Sequence, residues 1–196
     1  MKSLMKILFS FVLVASLFYP LTNNKAEAAN TIGDYYGFKY KKGDILITDS
    51  TSAKGIVGHT GIYIGNNQVL HTSGWKSEPW PRVMSLKDWV DRYKKRVKVV
   101  RYSDSSKAAK AADNAVKYFK GKKIGYRVTE NPRDIDPYTY CSEIVWYSYW
   151  KAGVTFKYPA ANINGWKIPP TIKPYDYTNT TLLKIQPKFK VVDNKF

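Results

Sequence analysis

The amino-acid sequence predicts an α+β domain: a small antiparallel sheet packed against a helix that carries the only cysteine. Three observations lead there. Gly58-His59-Thr60-Gly61-Ile62-Tyr63-Ile64 and Gln68-Val69-Leu70-His71 read as two strands around Gly65-Asn66-Asn67. After Cys141-Ser142, the residues Val145, Ser148, Tyr149 and Ala152 recur at helical spacing, and Gly153 fits the position past a helix end. Ile45 to Thr48 and Val97 to Tyr102 supply further strand-like runs.

The chain opens with Lys2 and Lys6, an apolar stretch from Ile7 to Leu21, and Ala26-Glu27-Ala28. That order is the pattern of a secretory signal peptide. The apolar stretch is short for a membrane span. Residues 1–28 are therefore expected to be removed near Ala28, leaving 29–196 as one domain, secreted or associated with the cell wall. Lys and Arg number 32 against 15 Asp and Glu, a formal net charge of +17. Such a chain is drawn to anionic surfaces: cell-wall polymers or acidic lipid headgroups. The basic residues are dispersed and carry no nucleic-acid-binding signature, so no specific nucleic-acid partner is expected. A monomer is expected. With one cysteine, an exported chain has no internal disulfide, and the thiol is buried, intermolecular or reactive.

Gly43-Asp44 reads as a turn before the strand from Ile45. In the hairpin that follows, a three-residue loop from Gly65 to Asn67 pairs Ile64 with Gln68 and Ile62 with Leu70. His59 and His71, the only histidines, then share one face as diagonal neighbours, and the aliphatic residues take the other. A two-residue loop at Asn66-Asn67 would separate the histidines, because a one-residue slip flips every side chain. Either histidine alone reads equally well as an ordinary strand residue.

Ser73 to Val83 reads as a loop, and its Trp75 and Trp80 are candidates for a cleft wall. Ser85-Leu86-Lys87-Asp88 resembles a helix start, with Leu86, Trp89, Val90 and Tyr93 as its apolar stripe. Asp104 and Ser105 can cap an alanine-rich helix that Gly121 ends. Lys122 to Tyr140 is irregular. Leu182 to Ile185 and Phe189 to Val192 are late strand candidates. Metal-ligand spacing and phosphate-binding glycine motifs are missing from the sequence, so no cofactor and no metal are expected.

Cys141 falls in the first turn of its helix, where unpaired backbone N–H groups and the helix dipole stabilise negative charge. A nucleophile is one reading of that position, with the Cys141 backbone N–H as an oxyanion donor. A small core residue is the other.

Taken together, these segments resemble the NlpC-type cell-wall cysteine peptidases, which have a papain-like fold. Tyr140-Cys141-Ser142-Glu143-Ile144-Val145 through Lys151-Ala152-Gly153-Val154 is similar to their nucleophile helix, Gly43-Asp44-Ile45-Leu46 to their Gly-Asp-Leu strand, and Gly58-His59-Thr60-Gly61 to their histidine strand. His71 falls where they carry the third polar residue, and Gly125-Tyr126 resembles the dipeptide whose tyrosine serves the oxyanion hole. The histidine strands precede the cysteine, which is the order of the circularly permuted, YiiX/YycO-like branch and of the lecithin-retinol-acyltransferase-like branch. The latter typically carries Asn-Cys-Glu-His at the nucleophile, unlike Tyr140-Cys141-Ser142-Glu143.

The resemblance implies catalysis by Cys141, His59 and His71, with Cys141 and Tyr126 at the oxyanion. The implied activity is that of a thiol peptidase or amidase acting on peptidoglycan stem or cross-link peptide. Tyr140 replaces the wall peptidases' usual aspartate and Glu143 their glycine. Tyr140, Ser142 and Glu143, with Trp75 and Trp80, are the candidate substrate contacts. The same triad also suits a lipid or acyl-ester hydrolase or acyltransferase, and a vestigial site would leave a wall-binding module.

Overall fold

In the computed structural model, the described residues are 33–51, 58–156, 162–163, 166–167, 171–178 and 188–195. The signal-peptide segment and the strand candidate Leu182 to Ile185 lie outside them.

The architecture is α+β, as the sequence predicts, and consistent with a papain-like fold. Six antiparallel strands form the main sheet: β3 (Ile45–Thr48), β4 (His59–Gly65), β5 (Gln68–His71), β6 (Arg82–Ser85), β7 (Lys98–Tyr102) and β12 (Phe189–Asn194), in the order β12-β7-β3-β4-β5-β6. An N-terminal hairpin, β1 (Gly33–Tyr35) and β2 (Phe38–Tyr40), lacks a distinctive strand pattern in the sequence. The irregular 122–140 segment contains two short parallel strands, β8 (Gly125–Tyr126) and β9 (Tyr138–Thr139). A further short pair is β10 (Asn162–Ile163) with β11 (Trp166–Lys167).

Both faces of the sheet are covered, so every residue of β4 is buried. On one face Ile45, Ile47, Ile62 and Leu70 pack under α2 (Ser105–Phe119) and α3 (Cys141–Lys151). On the other, Leu46, Tyr63, Val69 and Val99 pack under α1 (Leu86–Arg92) through Trp89 and Val90. α1 starts as expected: Ser85 Oγ accepts from the Asp88 backbone N–H at 3.0 Å. Asp104 Oδ1 caps α2 in the same way through Lys107 N–H. Gly43 is required where α2 crosses the β3 entry. Its φ is +92°, and a Cβ there would sit 2.3 Å from the Ala108 carbonyl oxygen.

The β4–β5 hairpin corrects the predicted loop. Asn66 and Asn67 are both left-handed, at φ 50° and 53°, which makes a two-residue turn with Gly65 opposite Gln68. A register shift between Tyr63 and Gly65 absorbs one residue, and Ile62 remains opposite Leu70. This bulge reconciles the short turn with histidines on a shared face.

Candidate active site

His59 and His71 meet on the α1 face of the sheet. His59 Nε2 lies 3.0 Å from His71 Nδ1. The backbone pairing sets this up, with His59 opposite Thr48 and His71 opposite Arg82. The rings are edge to face, at 82°. Trp89 stacks on His59 from α1, and the Tyr93 ring lies 5.2 Å from the His59 ring. Both imidazoles are buried.

Burial pushes His59 down to about 3; the Arg92 cation adds to the shift and Glu78 opposes it. His71 is likewise pushed well below its ordinary value, by burial first, then by His59, Arg92 and Arg82. Both rings are therefore neutral at physiological pH. A neutral His59 is a base able to accept a proton, not a standing cation.

Cys141 is the first residue of α3 and is 4 % exposed. Tyr140, its N-cap, makes no side-chain capping bond. The first-turn N–H groups of α3 consequently remain donors beside the sulfur. Tyr126, on β8, is within electrostatic reach of the Cys141 thiol. Burial raises this phenol above its ordinary range, and the charge of Cys141 and the hydrogen bond to it add to the rise. Tyr93 is raised too, by burial first, with Cys141 among the further causes and Arg92 opposing. Among the described residues no hydrogen bond joins the thiol to either histidine. Tyr93 links the two halves instead: its ring lies against His59, and it is within electrostatic reach of Cys141.

The structure turns three expected substrate contacts into the protein. Tyr140 and Ser142 are buried and tied to a C-terminal strap around the 3₁₀ turn Pro174–Tyr177. The Tyr140 hydroxyl accepts from Ile172 N–H at 3.0 Å, Ser142 Oγ donates to the Ile172 carbonyl at 2.7 Å, and Tyr177 Oη donates to the Ser142 carbonyl at 3.0 Å. Tyr175 and Pro174 of the same strap lie against Gly58, next to His59. Glu143 is fully buried and accepts from Thr129 Oγ1. Burial raises its carboxyl to about 7; hydrogen bonds from Thr129, Thr139 and the Tyr140 backbone oppose that rise, and Asp134 adds to it. Glu143 thus fastens the segment that carries Tyr126 onto α3.

Trp75 and Trp80 are exposed, at 51 % and 42 %, on a compact loop. Glu78 N–H donates to the Trp75 carbonyl, and Arg92 holds the Glu78 carboxylate with two bonds of 2.8 and 2.9 Å. Sequence reasoning passed over Tyr93, Arg92 and the strap. Tyr93 has the spacing of a core residue, and nothing local distinguishes it. Among the described residues no group of three or more His, Cys, Asp or Glu side chains is placed to hold a metal ion.

A family model described as lipoprotein N-acylation protein LnsA-like matches residues 1–181. The chain belongs to this LnsA-like family. An uncharacterized 30.3 kDa protein of Bacillus thuringiensis is 34% identical to it over 124 residues, covering 58% of this chain and 45% of that protein. The chain thus spans about half the length of the curated relative it matches. No solved structure matches it. Membership in the LnsA-like family points to acyl-transfer or hydrolase chemistry, the coarser class that contains the expected amidase.

Proposed function

We propose that this protein is a cysteine acyltransferase that takes an acyl group from a lipid ester onto Cys141 and passes it to an amine. The observation that carries this reading is the pair His59 Nε2–His71 Nδ1, at 3.0 Å, in a chain of the LnsA-like family. Because His71 occupies Nε2, the Nδ1 atom of His59 is the one that serves the thiol. His59 Nδ1 takes the Cys141 proton as the sulfur attacks the ester carbonyl. The first-turn N–H groups and the Tyr126 hydroxyl stabilise the oxyanion. The C–O bond breaks, and His59 returns the proton to the departing alkoxide. In the second half an amine attacks the thioester, the amine proton passes by way of His59, and Cys141 leaves as the thiol. His71 holds the His59 ring throughout. The missing thiol–imidazole hydrogen bond is compatible with this scheme, because catalytic hydrogen bonds often tighten only with substrate.

Amide cleavage in peptidoglycan peptide is the second reading. It uses the same triad, with water as the acceptor, and rests on the resemblance to the permuted wall peptidases and on the net charge of +17. Both readings place the site outside the cytoplasmic membrane after cleavage near Ala28. They part at the donor. Protein incubated with phospholipid vesicles, then denatured in acid, should show by mass spectrometry an acyl chain on the peptide containing Cys141. Cys141→Ala should show none. Release of muropeptide fragments from peptidoglycan, with no acylated cysteine from phospholipid, would replace the first reading by the second.

A further inference from the structure

The mouth of the site is bordered by exposed apolar groups from two loops. Trp75 and Trp80 come from the 73–81 loop, and Tyr126 ends β8 with Val128 just beyond it, at 38 % and 54 % exposure. The loops meet where Gly74, at φ +73°, lies against the Tyr126 ring; a Cβ there would sit 2.9 Å from it. Tyr126 in turn is within electrostatic reach of Cys141, which places the rim beside the site. It is also basic. Lys76 adjoins Trp75 and is exposed, while the Arg127 guanidinium, also exposed, packs over the Tyr138 ring at 3.8 Å beside β8. The Trp75 indole is held from behind by the Arg92 guanidinium, 4.9 Å from its centroid, and Arg92 is fixed by Glu78. The tryptophan is presented on a braced loop. Large exposed aromatic groups that are buttressed in place mark an interaction surface.

We propose that this rim is a docking surface for an anionic phospholipid bilayer, seating the protein with Cys141 at the headgroup level. The proposal rests on the lipid-ester reading above and names the surface from which the donor is drawn. Indole and phenol rings suit the headgroup layer, where one edge is apolar and the other wet. Lysine and arginine stems can lie along apolar surface while their charged ends reach lipid phosphates. The basic excess that remains after residues 1–28 are removed gives the long-range attraction, and the tryptophans give the short-range anchor. Among the described residues no helix is long and apolar enough to cross a membrane, so the rim would act from the surface.

The test uses the chain as it stands after cleavage, residues 29–196, and sedimentation with vesicles of phosphatidylglycerol and phosphatidylcholine, against phosphatidylcholine alone. Binding should favour the anionic vesicles and weaken as salt rises. Trp75→Ala with Trp80→Ala should weaken binding by about tenfold or more, the scale of removing half-buried indoles from an apolar layer. Lys76→Glu should weaken it by about fivefold or more at low salt. Circular dichroism checks the fold of each variant. Cys141→Ala should bind as wild type does, which separates docking from chemistry. Equal binding to both vesicle types, or undiminished binding by both rim variants, would overturn the proposal. So would loss of peptidoglycan binding in the rim variants with vesicle binding intact, because the surface would then belong to the wall. Failure of wild type to bind vesicles refutes the rim alone; acylation of Cys141 by a short, water-soluble thioester tests the chemistry independently.

Discussion

His59 Nε2 faces His71 Nδ1 at 3.0 Å, and this contact fixes the proton inventory of both rings. Both imidazoles are neutral, so each carries one proton. If His71 carried it on Nδ1, His59 would hold its own on Nδ1 and be blocked as a base. The working tautomer therefore has His59 donating from Nε2 and His71 accepting at Nδ1, with the His71 proton on Nε2. That atom is buried with no hydrogen-bond partner among the described residues. A buried donor left unpaired costs about 1–3 kcal/mol.

The two histidines should therefore respond differently to substitution. His59→Gln removes the proton carrier and should lower kcat by roughly 10²–10⁴-fold, the usual range for a general base. His71→Asn keeps an acceptor and should retain at least about tenfold more activity than His59→Gln, because holding the ring does not require a proton transfer. Turnover of one substrate by both variants and by Cys141→Ala decides this. A dead His71→Asn beside an active His59→Gln would exchange the roles.

Tyr93 gives a second prediction. Arg92 opposes the rise that burial causes in the Tyr93 phenol, and the Tyr93 ring packs against both Trp89 and His59. Tyr93→Phe keeps the ring and removes only the hydroxyl. We expect kcat to fall about tenfold with KM little changed and the unfolding midpoint close to wild type, since a hydroxyl within electrostatic reach of Cys141 responds to the charge that develops there. Tyr93→Ala should instead cost about 3–5 kcal/mol of stability, as loss of a large buried ring does. Steady-state kinetics and urea unfolding of the pair separate the two contributions.

The strands around His59 and His71, the caps of α1 and α2 and the cysteine at the start of α3 were legible because each has a local signal. The alternation of β4 and the Ser85 and Asp104 caps need no distant partner. The environment of Cys141 was not legible in that way. α3 is buried almost all round because α2, the sheet and the 171–178 strap enclose it, so its single apolar stripe understated its contacts. Glu143 reads as a polar surface residue until the 125–139 segment folds over it. The Gly65 bulge was hidden because a bulge and a longer loop leave the same residue spacing.

Gly61 follows from the same packing. In the structure a Cβ at Gly61 would lie 2.5 Å from Val69 Cγ1 and 3.3 Å from Trp89 Nε1, inside the α1-side core. Val69 is β-branched and cannot simply rotate away. Gly61→Val should therefore lose about 1–3 kcal/mol or more of stability through overpacking, not activity alone. Urea denaturation measures this directly, and a Gly61→Val protein as stable as wild type would show that α1 yields easily.

Three buried groups contribute to the dependence of stability on pH near neutrality, with opposite signs. Folded His59 titrates at about 3 and His71 well below its ordinary value, against 6.5 when unfolded. As pH falls below 6.5 the unfolded chain takes up protons that the folded rings refuse, so stability drops by about 1.4 kcal/mol per pH unit for each histidine. Glu143 works the other way. Its folded value is about 7 against 4.5 unfolded, so the folded state holds an extra proton between those values and stability is lost as pH rises through them. From 4.5 to 6.5 two histidines oppose one glutamate, and stability should rise by about 1.4 kcal/mol per unit. Above 6.5 only Glu143 still titrates among the three, so stability should peak near 6.5 and decline slightly beyond it. Glu143→Gln retains a hydrogen-bonding partner for Thr129 and cannot titrate. It should remove the decline, steepen the acid limb toward about 2.7 kcal/mol per unit, and leave a plateau above pH 6.5. Urea midpoints of the two proteins at pH 5, 6.5 and 8 test each sign separately. A wild-type curve that climbs from 6.5 to 8 would mean that Glu143 is ionised in the folded protein.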